Sequence, residues 1–102
     1  MQFWIQPDND TVTINNLQSE IGQITGKQID YVNSPEGFMF YLKEIENNKW
    51  DWSIRSGADK YFVSIFHNEL DESYAESHNL TIAVLTCYLD ALFSTNQNQG
   101  QN

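Results

Sequence analysis

Apolar residues recur at helical spacing near the start of the chain, at Ile14, Leu17, Ile21 and Ile24. That spacing predicts an amphipathic helix. Thr13 has the side chain to cap its start, and Gly26 can supply a left-handed turn at its end. Residues 27–33 then read as a short strand with Ile29 and Tyr31 on one face. Ser34-Pro35-Glu36 has the chemistry of a helix start: a capping hydroxyl, a proline in the first turn and an acid at the positive end of the dipole. Phe38, Tyr41, Leu42 and Ile45 continue as a helical stripe. Residues 38–42 are also a continuous apolar run that a strand would accept. The start signal and the composition of 43–48 favour the helix.

Farther along, the period changes. Trp50, Trp52 and Ile54 alternate with Asp51, Ser53 and Arg55, the pattern of a half-buried strand. Ser56-Gly57-Ala58-Asp59 is a turn. Residues 61–67 are apolar on both sides, with Tyr61, Val63 and Ile65 on one face and Phe62 and Phe66 on the other. This fits a strand covered on both faces, and the two strands make a hairpin. Residues 69–79 are polar and acidic and read as a loop. The final helix spans 80–93. Ile82, Leu85, Leu89 and Leu92 form its main stripe, and Ala83, Cys87 and Ala91 a small-residue stripe that permits close approach to a sheet or helix. The order helix, strand, helix, hairpin, helix predicts an α+β fold, a small antiparallel sheet sandwiched by helices. Residues 1–94 make one domain, and 95–102, uncharged and lacking large apolar side chains, a flexible polar tail.

Charge changes the picture most. Fourteen acidic residues against five basic ones give a formal net charge of −9 over 102 residues, while 40% of the chain is hydrophobic and 14% aromatic. Such a chain can fold, so the acidity belongs to the surface of a packed domain. Its field repels nucleic acid and attracts basic surfaces. Direct nucleic-acid binding is therefore not expected: stacking platforms need basic grooves, and five cations cannot build one. With one cysteine, Cys87, there is no intrachain disulfide and no four-cysteine zinc site. The first residues lack the features of a signal peptide, and no apolar run has the length of a membrane span. These observations lead us to expect a cytoplasmic protein with no membrane partner, and to treat the glycosylation-type triplets at Asn9 and Asn79 as chance.

The layout, and its C-terminal half in particular, resembles small phage and prophage proteins of the "ABA sandwich" type. In these a Trp-led hairpin is followed by a polar loop and an Ala- and Leu-rich helix with a central Cys. The matching segments are Trp50-Asp51-Trp52-Ser53-Ile54, residues 61–66, and Thr81-Ile82-Ala83-Val84-Leu85-Thr86-Cys87-Tyr88-Leu89. The Ser34-Pro35 helix start is similar too. Thr86 and Tyr88 depart from the basic and small residues that the family would place beside Cys87, and residues 1–13 have no counterpart. The resemblance implies a phage or mobile-element origin and a sandwich fold. It implies no activity and no site residues.

No catalytic motif is present. Glu69, Asp71, Glu72, Tyr74 and Glu76 form the sharpest local feature, a candidate surface for a basic partner. Carboxylates on a fixed scaffold can occupy the positions of nucleic-acid phosphates and so block a nucleic-acid-binding host protein. A solvated connection that keeps the domain soluble is the plainer alternative. Trp4, beside Phe3 and Ile5, is a further candidate contact, and with the small-residue stripe it could close a homodimer. His67, Glu69, Asp71 and His78 are metal-ligand types without metal-site spacing, so neither a metal nor a cofactor is expected. Asp8-Asn9-Asp10 opens like a calcium loop but fails at Val12, Thr13 and Ser19. Cys87 sits on the small face of an apolar helix and reads as a packed thiol. The expected function is a non-enzymatic acidic interaction protein, a phage inhibitor acting against host defence by mimicking nucleic acid. The alternative is a small-ligand binder or minor enzyme with an aromatic pocket holding His67 and His78.

Overall fold

The computed structural model describes residues 9–26, 37–68 and 71–100. The elements are α1 (Asn9–Thr25), α2 (Gly37–Asn47), β1 (Asp51–Gly57), β2 (Lys60–Phe66), β3 (Glu72–Ser77) and α3 (Leu80–Gly100). The three strands form one antiparallel sheet in the order β1-β2-β3. The chain is thus a small α+β fold with three helices. The strand expected over 27–33 and the start signal at Ser34-Pro35-Glu36 lie outside the described residues.

Residues 37–47 are helical, which settles the ambiguity over 38–42 in favour of the helix. The end of α2 is a turn that needs a positive φ, and Lys49 supplies it at 67°. Lys49 N–H bonds to Glu46 O at 2.9 Å and Trp50 N–H reaches back to Ile45 O at 3.2 Å. This is the Schellman pattern, which satisfies carbonyls that the helix leaves unpaired. It also turns the half-buried Trp50 against the core and points the chain into β1.

The hairpin turn is tight. Ala58 and Asp59 have φ of 52° and 63°, the left-handed pair of a two-residue turn whose twist matches the strands it joins. Gly57 pairs with Lys60 directly across it.

Residues 72–77, expected as loop, form β3. Glu72-Ser73-Tyr74-Ala75-Glu76-Ser77 alternates a large or charged side chain with a small one, and in the sheet Ser73 and Ala75 are buried while Glu72, Tyr74 and Glu76 are exposed. Polarity hid the period of two: the inward residues are small rather than hydrophobic, because α3 lies close above them.

Helix α3 is the centre of the fold. It packs against β2, β3, α1 and α2, and α2 also touches β1. Ala83, Val84, Leu85, Cys87, Tyr88, Leu89, Ala91 and Leu92 are all buried, so the helix is apolar around most of its circumference, as a helix with neighbours on several sides must be. Its small-residue stripe faces the sheet: Cys87 Sγ lies 3.2 Å from Ser73 O and 3.5 Å from Val63 O. That stripe is consumed inside the domain and offers no dimer face; Trp4, the other half of that expectation, lies outside the described residues. Asn79 caps the helix, its Oδ1 accepting from Ile82 N–H at 3.2 Å. The helix also continues to Gly100, beyond the expected end at Phe93, and Thr95 Oγ1 donates to Ala91 O at 3.0 Å.

Helix α1 starts at Asn9, ahead of the expected cap Thr13, which is inside the helix. The reason is tertiary. Asp10 in the first turn accepts from Asn79 Nδ2 at 3.2 Å and meets His78 Nε2 at 3.0 Å, anchoring that turn to the β3–α3 junction. Gly26 ends the helix with φ of 76°, as expected.

Candidate partner-binding face

Sheet register sorts the strand residues onto two faces. Trp52, Ile54, Tyr61, Val63, Ile65, Ser73 and Ala75 point toward the helices. Asp51, Ser53, Arg55, Phe62, Ser64, Phe66, Glu72, Tyr74 and Glu76 point away. The expectation that the second strand is covered on both faces is corrected here. Among the described residues the outer face carries no helix, and Phe66 is 40% and Tyr74 51% exposed.

The outer face is built in cross-strand rows. Asp51, Phe66 and Glu72 are Cα partners in one row, Ser53, Ser64 and Tyr74 in the next, Arg55, Phe62 and Glu76 in the third. Side chains directly opposite one another on a sheet face stand about 5 Å apart at Cβ, so each row is a contact set. In the third row the Arg55 guanidinium lies 5.1 Å from the Phe62 ring centroid. Tyr74 Oη donates to Glu76 at 2.8 Å, and Lys60 Nζ meets the same carboxylate at 3.5 Å. The Tyr74 bond, then Lys60, holds the Glu76 carboxyl below its ordinary value. The same bond, joined by some desolvation and the Glu76 charge, raises the Tyr74 phenol.

Of the residues expected to bind a partner, Glu72, Tyr74 and Glu76 are brought together on this face. Glu76, expected in the acidic loop, is a strand residue instead. Asp71 is exposed in the β2–β3 turn, where Asn68 Nδ2 donates to its carboxylate at 2.6 Å and its own N–H donates to Asn68 Oδ1 at 2.9 Å. Glu69 and Trp4 lie outside the described residues. Sequence reasoning missed Asp51, Arg55, Phe62 and Phe66 as members of the face. The signal was their shared strand parity, legible only once β3 is recognised and the register is set.

His67 and His78 do not share a pocket. They follow the opposite ends of β2 and β3, and Tyr61 pairs with Ser77 at one end while His67 N–H bonds Asp71 O at the other. His67 is half-buried, its Nε2 3.1 Å from Ser73 Oγ and its ring against the edge of Trp50 at 5.9 Å; its Nδ1 has no partner among the described residues. His78 borders an open cleft with Ser56, Gly57, Asp59, Lys60 and Tyr61. Burial, followed by the charges of Asp90 and Glu72, pushes the Cys87 thiol up to about 12, which removes it as a nucleophile. Among the described residues no group of three or more His, Cys, Asp or Glu could hold a metal ion, and no helix is long and apolar enough to cross a membrane.

Compared with protein-family models, with curated proteins and with solved structures, the chain matches none. The functional reading therefore rests on the face itself.

Proposed function

We propose that this chain is a non-enzymatic interaction protein that binds a basic surface of another protein through the outer face of its sheet. The observation that supports this best is the alignment of Glu72, Tyr74 and Glu76 on one exposed strand face beside Phe66. Aromatic rings flanked by carboxylates suit a partner rich in Lys and Arg. The rings supply desolvated contact area, and the acids steer association and set orientation. The net charge of −9 adds a long-range attraction that points the same way.

In the setting that the resemblance to small phage proteins implies, the partner is a nucleic-acid-binding host protein of the cytoplasm. The acidic face then competes with nucleic acid for its basic groove, as an anti-defence inhibitor would. The test is capture from host lysate at low and high salt, with wild-type protein and Glu72→Gln/Glu76→Gln. Capture should fall with salt, fall in the variant, and be displaced by added nucleic acid. A bound protein indifferent to all three would sink the reading.

A further inference from the structure

The outer face repeats one constellation twice, and only one copy is complete. In the row Arg55–Phe62–Glu76, an aromatic ring on the central strand has a guanidinium from one side over it at 5.1 Å and a carboxylate on the other. In the row Asp51–Phe66–Glu72, the ring is again on the central strand. The position that corresponds to Arg55, however, carries a second carboxylate. All three residues are exposed, and neither Asp51 nor Glu72 forms an ion pair or side-chain hydrogen bond with a described residue. Phe66 thus has an acidic residue opposite it on either side and, among the described residues, no cation over its ring.

We propose that Phe66, with Asp51 and Glu72 on either side, receives one arginine side chain of the partner, its guanidinium stacked on the ring and paired with the two carboxylates. This rests on the reading that the partner is basic, and it adds which residue the partner presents and where. The chemistry fits arginine better than lysine. A guanidinium is planar, weakly hydrated and stacks on aromatic faces while keeping in-plane donors for carboxylates. Arg55 on Phe62 shows the same ring–cation stacking within the chain. The second carboxylate replaces the resident arginine, so the row attracts a cation from outside.

The test uses hexa-arginine, hexa-lysine and hexa-glycine peptides at low ionic strength, followed by NMR. Hexa-arginine should perturb the Phe66 ring and the amides of Asp51, Phe66 and Glu72 first, bind more tightly than hexa-lysine, and be released by salt. Hexa-glycine should do nothing. Phe66→Leu keeps every charge and should weaken hexa-arginine by about 2- to 5-fold, the share of an exposed cation–π contact. Asp51→Asn/Glu72→Gln should weaken it by about 5-fold, and Glu76→Gln by less than about 2-fold. Both variant sites are exposed, and unchanged amide dispersion confirms the fold. If hexa-arginine binds but Phe66→Leu and Asp51→Asn/Glu72→Gln leave its affinity unchanged, this site is refuted while the acidic-face reading stands. If neither cationic peptide binds at low salt, both are refuted.

Discussion

The thiol of Cys87, at the middle of α3, donates to the carbonyl oxygen of Ser73 on β3 at a Sγ–O distance of 3.2 Å. This contact ties the helix to the sheet. It is possible because the helix presents Ala83, Cys87 and Ala91 there and the strand presents Ser73 and Ala75. With the thiol held up at about 12 by burial, Cys87 should resist iodoacetamide in the native protein at pH 8 and react only as the domain opens. Labelling of the native protein at the rate of a free thiol would contradict the packing. Cys87→Ala should cost about 1–2 kcal/mol in urea unfolding, from a small cavity and a lost weak hydrogen bond.

The Tyr74–Glu76 bond makes a prediction about titration. A depressed carboxyl contributes stability above its unfolded value of 4.5 and loses it as pH falls through the folded value. A raised phenol contributes below its unfolded value of 10.0 and loses it as pH rises through the folded one. Tyr74→Phe should bring the Glu76 carboxyl back up toward its ordinary value, with Lys60 still holding it part of the way down, as carbon-detected NMR would show. Glu76→Gln should let Tyr74 ionise closer to 10.0 in an ultraviolet titration. An unmoved Glu76 in Tyr74→Phe would mean that the bond is not formed in solution.

Ala58 occupies a left-handed position at φ 52° with Asp59 at 63°. For an L-residue with a Cβ this conformation costs about 1–2 kcal/mol, and Asn and Gly carry less of that cost. Ala58→Asn/Asp59→Gly should therefore stabilise the domain by about 1 kcal/mol, measured by urea unfolding with an unchanged m value. A loss of stability would mean that the turn is not the two-residue type.

Asp10 joins two places distant in sequence, the first turn of α1 and the Asn79 cap of α3. Asp10→Ala should destabilise by about 1 kcal/mol and speed amide exchange in the first turn of α1. Asn79→Ala removes both the cap and the tie and should cost about 1–2 kcal/mol. The two losses together should be less than additive, because they share the Asp10–Asn79 bond. Strict additivity would remove the coupling.

The three helices and the hairpin were legible because local signals agree there: the stripe Ile14, Leu17, Ile21 and Ile24, the alternation from Trp50 to Arg55, the left-handed Gly26. Cys87 was also legible as a core thiol, since Ala83 and Ala91 lie on either side of it along one small-residue face of the helix. The rest needed the fold. β3 has no hydrophobic run, so its strand character comes from pairing with β2 and from α3 pressing on its small residues, neither of which is local. Without β3 the outer face does not exist, and Glu72, Tyr74 and Glu76 are merely residues of an acidic loop. The start of α1 at Asn9 likewise depends on Asn79 and His78, far along the chain. The sequence alone determined the acidity, the lone thiol and most of the periodicity. Tertiary structure decided which acids stand beside which rings, because cross-strand register sets neighbours that no spacing along the chain can express.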